Sequence, residues 1–512
     1  MRLVRIAAAT LSLVMIAATP APAASAPSPK VRTDTGVVKG EVRKDHRVFR
    51  GIPYAEPPTG PLRWRPPQPA KPWTGVRDAT KFGSQCAQLA EFYGGRTSYG
   101  EDCLYLNITA PRRGRDRPVM VWLHGGGNAS GNPALYDLTK LATRGDVVVV
   151  SVNYRLGALG WLAHPALEAG ERYQSGNYGL LDQQAALRWV RRNIAAFGGD
   201  PRNVTLFGES AGAADICAGL ASPTAAGLFD KAIAQSFSCS SATRTEEQAE
   251  AEGVRFAEAV GCTAGPAACL RALPAKKLME AFRGQNPYPV VGGDHVLPLQ
   301  PRAAFESGRF NRVPVMHGNT LDEMRLYAGL TYPKPITQAQ YEQIARATYG
   351  ANAAQVLARY PATGYPDLRI GLATMMTHGT GPLATCAHQD AFALLSRAGA
   401  PVYAYQFADR TAPPLMDVPG FEEGAEHTTE LIYLFPGLLG RLNAEQRRLS
   451  DAMVGYWTSF ARDGRPRAAR APSWPQFRGS GDVLSLAPGR GGIHPADTAA
   501  ESNCAFWSSL RP

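Results

Sequence analysis

Beyond its first 26 residues, this sequence lacks long apolar segments, internal repeats and cysteines in Cys-x-x-Cys spacing. After residue 26, no part of the 512-residue chain is long and apolar enough for a helix that crosses a bilayer. No period repeats along the chain, so a solenoid or propeller is excluded. No two cysteines have the Cys-x-x-Cys spacing of a structural zinc site. With 45% hydrophobic and 19% charged residues, the remainder is typical of a globular protein with a sizeable core.

The first 26 residues have the pattern of a secretory signal peptide. Two arginines precede an apolar run over residues 6–18, and two Ala-x-Ala sites end at Ala23 and Ala26. Because the run is too short to span a bilayer, we favour a cleaved signal over an uncleaved anchor. We therefore predict cleavage near residues 23–26, a mature chain over residues 27–512, secretion to the extracellular space and no stable membrane insertion.

Eight cysteines, all after the predicted signal, form an even set in a chain expected to enter an oxidising compartment. Spacing suggests three near-neighbour pairs, but eight cysteines allow many pairings, so spacing alone supports only a hypothesis. The near neighbours are Cys86 with Cys103, Cys217 with Cys239, and Cys262 with Cys269, while Cys386 and Cys504 remain.

The formal net charge of +11 raises the question of an anionic partner. The basic residues are scattered, and the densest group, residues 112–117, has the composition of a turn before a strand. A solvated basic surface is the simpler interpretation, so we predict no nucleic-acid partner.

Apolar, β-rich runs alternate with helical patterns along most of the chain. This alternation predicts an α/β protein with a central, mostly parallel sheet. Residues 37–54 are typical of hairpin strands, which would add an antiparallel edge. Residues 332–397 are helical in pattern, with one helix predicted over 338–359, and we interpret them as a helical cap region. The predicted central strands are 119–123, 147–152, 204–207, 231–235, 313–316 and 402–407.

The clearest sign of chemistry is a Gly-x-Ser-x-Gly motif centred on Ser210. The predicted strand 204–207 runs directly into Gly208-Glu209-Ser210-Ala211-Gly212, and a helix-forming segment follows, as in a nucleophile elbow. The tight turn brings the residues two before and two after the serine together, so glycine at both positions avoids a clash. We therefore interpret Ser210 as the nucleophile of a serine hydrolase.

A serine hydroxyl needs a histidine base that is itself oriented by a carboxylate. In the nucleophile-elbow fold the partners follow in the order serine, acid, histidine, and we use this order to remove His46, His124, His164 and His295 from the nine histidines. His427 lies in a loop after the predicted strand 402–407, where such a base is expected. The residues alone also leave open His317, His378, His388 and His494.

Two adjacent carboxylates, Asp322 and Glu323, compete for the role of the acid. Both follow the predicted strand 313–316 closely. We expect one of them to orient the histidine and the other to accept backbone N–H bonds as a helix N-cap.

Acyl transfer also needs donors for the oxygen that becomes negative. The predicted strand 119–123 is followed by His124-Gly125-Gly126-Gly127, where glycines allow successive backbone N–H groups to face inward. The amide of Ala211 is expected to be a further donor.

The chain resembles the type-B carboxylesterase family, which includes cholinesterases, liver-type carboxylesterases and bacterial esterases of the p-nitrobenzyl-esterase type. The resemblance covers nearly all of the mature chain and includes the elbow and the three glycines. Its longest further motifs are FRGIPYAEPPTGPLR from Phe49, EDCLYLN from Glu101, NYRLG from Asn153, GNYGLLDQ from Gly176, NIAAFGGDP from Asn193 and NCAFW from Asn503.

The resemblance implies one α/β-hydrolase domain over residues 27–512, with helices on both faces of a twisted sheet. It also implies a Ser210, Glu323 and His427 triad, an oxyanion hole at Gly126, Gly127 and Ala211, and neither metal nor organic cofactor. Two departures from the family are Met324, where glycine is usual, and Thr428, where glycine is common. The implied disulfides are Cys86–Cys103, Cys262–Cys269 and Cys386–Cys504, and elimination then leaves Cys217–Cys239.

The substrate implied is a small-molecule carboxylic ester. Asn128 stands where the family usually has an aromatic residue after the glycines, and the loop between Cys86 and Cys103 is shorter than in cholinesterases. Both departures argue against choline esters. Two alternatives are a lipase or polyester hydrolase with the same mechanism, and a non-catalytic binding protein on the cholinesterase-like fold.

Overall fold

A computed structural model describes residues 28–90, 95–168, 175–285, 287–293 and 295–510. The predicted signal peptide, residues 1–26, lies outside the described residues. The described residues form sixteen strands: β1 (Lys30–Arg32), β2 (Val37–Lys39), β3 (Glu41–Val42), β4 (His46–Pro53), β5 (Val76–Asp78), β6 (Tyr105–Pro111), β7 (Arg117–Leu123), β8 (Val148–Val152), β9 (Gly199–Glu209), β10 (Lys231–Gln235), β11 (Arg244–Thr245), β12 (Val290–Val291), β13 (Val315–Thr320), β14 (Val402–Phe407), β15 (Val483–Leu486) and β16 (Ile493–Ala496).

The described residues also form eighteen α-helices. In order they are α1 (Thr139–Gly145), α2 (Gly157–Trp161), α3 (Pro165–Glu168), α4 (Tyr178–Asn193), α5 (Ala211–Ala221), α6 (Glu246–Ala259), α7 (Pro266–Ala272), α8 (Ala275–Ala281), α9 (Pro301–Glu306), α10 (Arg325–Thr331), α11 (Gln338–Tyr349), α12 (Ala353–Arg359), α13 (Leu368–His378), α14 (Thr385–Arg397), α15 (Leu431–Leu434), α16 (Ala444–Asp463), α17 (Thr498–Glu501) and α18 (Cys504–Ser509).

The central sheet has eleven strands in the order β16-β15-β14-β13-β10-β9-β7-β8-β6-β4-β3. The seven neighbouring strands from β15 to β8 in this order are parallel, whereas β6, β4, β3 and β16 join antiparallel. The mostly parallel sheet with antiparallel N-terminal strands is therefore confirmed. Parallel strands end on one edge of the sheet, which is where ligand sites of such folds are built.

Both faces of the sheet are covered by apolar layers. In β7, Val119 and Val121 belong to one buried cluster, and the intervening Met120 and Trp122 belong to another. Helices α4, α5 and α14 complete the first cluster, and α1 and α16 complete the second. This alternation explains the continuous apolar runs in the sequence, because a strand buried on both faces has no polar side.

The predicted hairpin over residues 37–54 is correct only in its second half. β3 and β4 pair antiparallel, but β2 pairs with β1 and β5 in a separate three-stranded sheet. The chain changes sheet at Gly40, where an added Cβ would lie 2.2 Å from the Val48 carbonyl oxygen. A side chain at this position is therefore excluded by the close approach of β4.

Residues 332–397 are all described and none of them lies in a strand. They contain α11 to α14, and the predicted helix 338–359 is interrupted at Gly350, whose φ of +52° ends α11. The last of these helices, α14, packs against β13 and β14. It therefore covers the sheet itself.

Four disulfides join Cys86 to Cys103, Cys217 to Cys239, Cys262 to Cys269 and Cys386 to Cys504. These are the same four pairs that the resemblance and elimination predict. Within the described chain, no helix combines the length and apolar character needed to cross a membrane.

Burial disfavours the charged form of several histidines, and this predicts a loss of stability in acid. Burial lowers the pKa of His124, His317 and His378 to about 4, and lowers that of His388 further. An unfolded histidine takes up a proton near pH 6.5, so the unfolded state binds more protons as the pH falls. The free energy of unfolding should therefore be fully retained above about pH 6.5 and decrease as the pH falls toward about 4.

Urea unfolding of the wild type and of His388→Leu, measured between pH 7 and pH 4, checks this expectation. The variant lacks one titrating group, so its stability should decrease less steeply with acid than that of the wild type. Equal slopes in the two proteins would contradict the assignment.

Candidate active site

The Ser210 elbow joins the end of β9 to the start of α5. Ser210 has φ 56° and ψ −122°, and its amide donates to the carbonyl oxygen of Gln235 at 2.8 Å. A Cβ at Gly208 would lie 2.6 Å from the carbonyl oxygen of Leu123, and one at Gly212 would lie 2.3 Å from the same oxygen. Both glycines are therefore required chiefly by the end of β7. The turn holds the serine in a strained conformation that leaves its side chain partly exposed.

His427 and Glu323 meet although they are far apart in the chain. The Nδ1 atom of His427 lies 2.6 Å from Oε2 of Glu323, and both side chains are buried. Glu323 follows β13 and His427 lies in the loop after β14, so neighbouring parallel strands bring them to one edge. The other imidazole nitrogen, Nε2, lies 3.1 Å from Oε1 of Glu209, the residue before Ser210. The imidazole therefore lies between the Glu323 carboxylate and the elbow.

Asp322 has a different set of partners from Glu323. Its carboxylate accepts from Arg410 at 2.9 Å and from the amide of Ala425 at 3.0 Å, and Arg325 lies 3.3 Å away. The prediction that this residue caps a helix is wrong, because α10 begins after Met324 and its first turn takes no bond from the Asp322 side chain. Asp322 therefore joins the segment after β13, which also contains Glu323, to the loop that carries His427.

The four other candidate histidines have partners elsewhere. His317 lies in β13 with Nδ1 at 2.8 Å from the Ala234 carbonyl, and His388 has Nδ1 at 2.8 Å from the Ala384 carbonyl. His378 contacts the Tyr360 hydroxyl, and His494 lies at the exposed strand β16. None of these contacts involves a carboxylate.

The glycine turn after β7 lies against the elbow. Gly126, Gly127 and Asn128 have φ values of +107°, +61° and +55°, so three consecutive residues adopt left-handed backbone. A Cβ on Gly125 would lie 3.0 Å from the Cβ of Ser210, which shows how closely the turn approaches the Ser210 side chain. The amide of Ala211, at the first turn of α5, has no acceptor within the helix. These backbone groups are the donors available near Ser210 for a negative oxygen.

Sequence reasoning missed a buried acidic group beside His427. Glu430 lies three residues after His427, and its Oε1 accepts from Gln235 Nε2 at 3.0 Å. Gln235 is held in turn by the indole of Trp457, which donates to its Oε1 at 3.1 Å. Burial raises the pKa of Glu430 and of Glu209. No motif marks Glu430, and only its spacing of one helical turn from His427 could have drawn attention to it.

Removing the charge of Glu209 should shift the pH dependence of activity. Burial opposes a charge on His427, but Glu209 and then Glu323 outweigh it and raise the pKa of the imidazole. A histidine base works in its neutral form, so a raised pKa moves the acidic limb of the rate profile upward. Glu209→Gln should therefore move that limb to lower pH by about 1–2 pH units, measured as kcat/KM against pH. An unchanged or higher limb would contradict the electrostatic role of Glu209.

The family assignment follows from comparison with known proteins. The model of the Carboxylesterase family matches residues 27–507 of the chain. The chain belongs to the carboxylesterase family. Its sheet of mostly parallel strands with helices on both faces is the α/β-hydrolase fold of that family, as the resemblance predicts, and the chain is a carboxylic-ester hydrolase.

Individual relatives match over most of their length. The chain is 36% identical to the para-nitrobenzyl esterase of Bacillus subtilis (strain 168), with 87% of this chain and 92% of the relative covered. It is 34% identical to the fumonisin B1 esterase of Sphingopyxis macrogoltabida, with 92% and 89% covered. It is also 34% identical to the cocaine esterase of Oryctolagus cuniculus, with 88% and 90% covered.

One group in the carboxylesterase could hold a metal ion by the spacing of its ligand atoms. Within the described ranges this group is Glu168, Glu246 and Glu250, near α3 and α6, and it shares no residue with the elbow or the His427 loop. Glu168 already accepts from the hydroxyl of Ser175 at 2.6 Å.

Proposed function

We propose that this chain is a secreted serine carboxylesterase that forms an acyl-enzyme on Ser210. The observation that carries the proposal is the position of the His427 imidazole, 2.6 Å from Glu323 and 3.1 Å from the carboxylate next to Ser210. A carboxylate bound to Nδ1 fixes the tautomer in which Nε2 is free to take a proton. Glu323 is the orienting acid and His427 the general base in this proposal.

The reaction has two halves. The Ser210 hydroxyl oxygen forms a bond to the ester carbonyl carbon while its proton passes to Nε2 of His427, and the carbonyl electron pair moves onto oxygen. The amides of Gly126, Gly127 and Ala211 bind that oxygen. The pair then returns, the bond to the alcohol oxygen breaks, and His427 gives its proton to the departing alcohol. Water repeats the sequence on the acyl-enzyme and releases the carboxylic acid.

The substrate class that we propose is a carboxylic ester of general type. The relatives are named para-nitrobenzyl esterase, fumonisin B1 esterase, cocaine esterase and, at 34% identity, medium-chain fatty acyl-CoA hydrolase precursor, and these names do not share one substrate. A choline ester is disfavoured because Asn128 is not aromatic and an aromatic ring is the usual partner of a quaternary ammonium group.

Hydrolysis rates for p-nitrophenyl acetate, butyrate and palmitate test the proposal, together with labelling by a fluorophosphonate. A general esterase should prefer the short esters and should be labelled on Ser210. Preference for palmitate, or for an insoluble polyester, would support the lipase or polyester-hydrolase alternative. Absence of both labelling and hydrolysis would support a binding protein.

Secretion is supported by the signal pattern of residues 1–26 and by four disulfides, which persist in oxidising compartments. Expression of the full chain in a secreting host, followed by N-terminal sequencing of the exported protein, checks this. A mature start near residues 24–27 is expected, and retention of an intact N-terminus on the cell would contradict secretion.

A further inference from the structure

Asn128 is a buried amide at the end of the glycine turn. Its side chain is fully buried, and its Nδ2 donates to Oδ1 of Asp215 at 3.0 Å and to the Pro287 carbonyl at 3.1 Å. The backbone carbonyl oxygen of Asn128 accepts from the backbone amide of Gly157 at 2.7 Å. Because both partners of Nδ2 are acceptors, the orientation of the amide is determined by its contacts. The residue that follows Gly126 and Gly127 is therefore held at its backbone and at its side chain.

Asp215 lies on α5, five residues after Ser210, and it is also buried. Its second oxygen, Oδ2, accepts from Gln183 Nε2 at 2.5 Å, so the carboxylate joins α5 to α4 as well as to the glycine turn. Burial raises the pKa of Asp215 to about 7, although the hydrogen bonds from Gln183 and Asn128 lower it. No cationic side chain contributes to this shift. A buried carboxylate without a cation is costly to the fold, so apolar packing does not account for this residue.

We propose that Asn128 and Asp215 are positioning residues of the oxyanion hole, whose buried contact fixes the glycine turn against the nucleophile helix. The contact spans two of the elements that the reaction needs, since one end adjoins Gly127 and the other lies on the helix that begins at Ala211. The amides of Ala129 and Ser130 close the turn by donating to the Gly126 carbonyl, but these bonds do not join the turn to α5, so its position against the helix needs a further anchor. The Asn128 side chain supplies that anchor. Asn128 stands at the position where the family usually has an aromatic residue.

The proposal rests on the proposed function, and the test separates the two. Wild type, Asp215→Asn and Asn128→Gly are first titrated with a fluorophosphonate, so that kcat is expressed per labelled site. Glycine suits the φ of +55° at residue 128 and removes both side-chain bonds. We expect kcat per site to fall by about 10²-fold in both variants, because displaced donors lose transition-state contacts, while KM changes less than about threefold.

A trifluoromethyl ketone, which forms a hemiketal oxyanion on the serine, supplies a readout that a purely structural role would not move. Its inhibition constant should rise in parallel with the fall in kcat. The double variant Asn128→Asp with Asp215→Asn restores an amide-to-carboxylate contact with the groups exchanged. It should recover about tenfold in kcat per site over Asn128→Asp alone.

The matched control is Asn311→Ala. Asn311 donates from Nδ2 to the carbonyls of Gly219 and Ser222 at the other end of α5, at 2.9 and 2.8 Å, and does not touch the glycine turn. Its loss should lower the melting temperature and leave kcat per site unchanged. If Asp215→Asn does not fold, Asn128→Gly and the double variant carry the test.

Two results would overturn the positioning role. One is a kcat per site within about twofold of wild type in Asn128→Gly, and the other is an unchanged inhibition constant for the ketone. A wild-type protein that neither hydrolyses esters nor labels at Ser210 would instead refute the proposed function.

Discussion

Ser210→Ala is expected to lower kcat for p-nitrophenyl butyrate by on the order of 10⁴- to 10⁶-fold while the protein stays folded. In the proposed mechanism the hydroxyl oxygen of Ser210 bonds to the acyl carbon, and no neighbouring side chain of the elbow can replace it. The flanking residues Glu209 and Ala211 offer a carboxylate and a methyl group. Some hydrolysis by direct attack of water should remain, because the oxyanion donors stay in place and still stabilise the negative oxygen.

The control for this variant is its fold and its probe reactivity. Alanine at φ 56° is strained to a similar degree as serine, so the melting temperature should change little. Labelling by a fluorophosphonate should disappear. A folded Ser210→Ala protein with near-normal turnover would exclude Ser210 as the nucleophile.

Much of the fold was predictable because buried parallel strands leave a strong signal. Strands such as β8, Val148–Val152, are buried on both faces and form continuous apolar runs. The elbow was predictable for a local reason too, since Gly208 and Gly212 border the serine within one turn. Short edge strands carry little signal, and the assignment of residues 37–39 to the hairpin was wrong because Gly40 directs them into another sheet.

The partners of Ser210 could not be selected from local pattern. His427 and Glu323 lie 104 residues apart, and their contact depends on β13 and β14 being neighbours in the sheet. The expected chain order leaves five histidines, and nothing local distinguishes the one whose ring reaches a carboxylate. The resemblance selected His427 and Glu323 where the residues alone left them open.

Two buried features depend on backbone conformation and long-range contact. Thr428 has φ 77°, an uncommon value for a β-branched residue, directly after His427. Sequence comparison notes only that glycine is common there, and the structure shows why. The contact between Asn128 and Asp215 spans 87 residues and could not be read from either segment.

Glu323→Gln should lower kcat by about 10⁴-fold with little change in the melting temperature. Glutamine keeps the shape of glutamate but offers an amide to Nδ1 of His427, which favours the tautomer with the proton on the wrong nitrogen. It also removes the charge that stabilises the imidazolium. The backbone amide of Thr320, which donates to Oε1 at 2.8 Å, keeps an acceptor if the amide oxygen faces it. The fold should therefore survive the change.

Asp322→Asn is the matched control, because it makes the same chemical change one residue away. It removes the charge that pairs with Arg325 and Arg410, so the free energy of unfolding should fall by about 3 kcal/mol as a largely buried pair is broken. Asparagine can still accept from the amide of Ala425, so the His427 loop stays near its place. Turnover per titrated site should then change by less than about tenfold.

The two variants should therefore have opposite effects. Glu323→Gln loses turnover and keeps stability, whereas Asp322→Asn loses stability and keeps turnover. The reverse pattern would move the role of the orienting acid to Asp322.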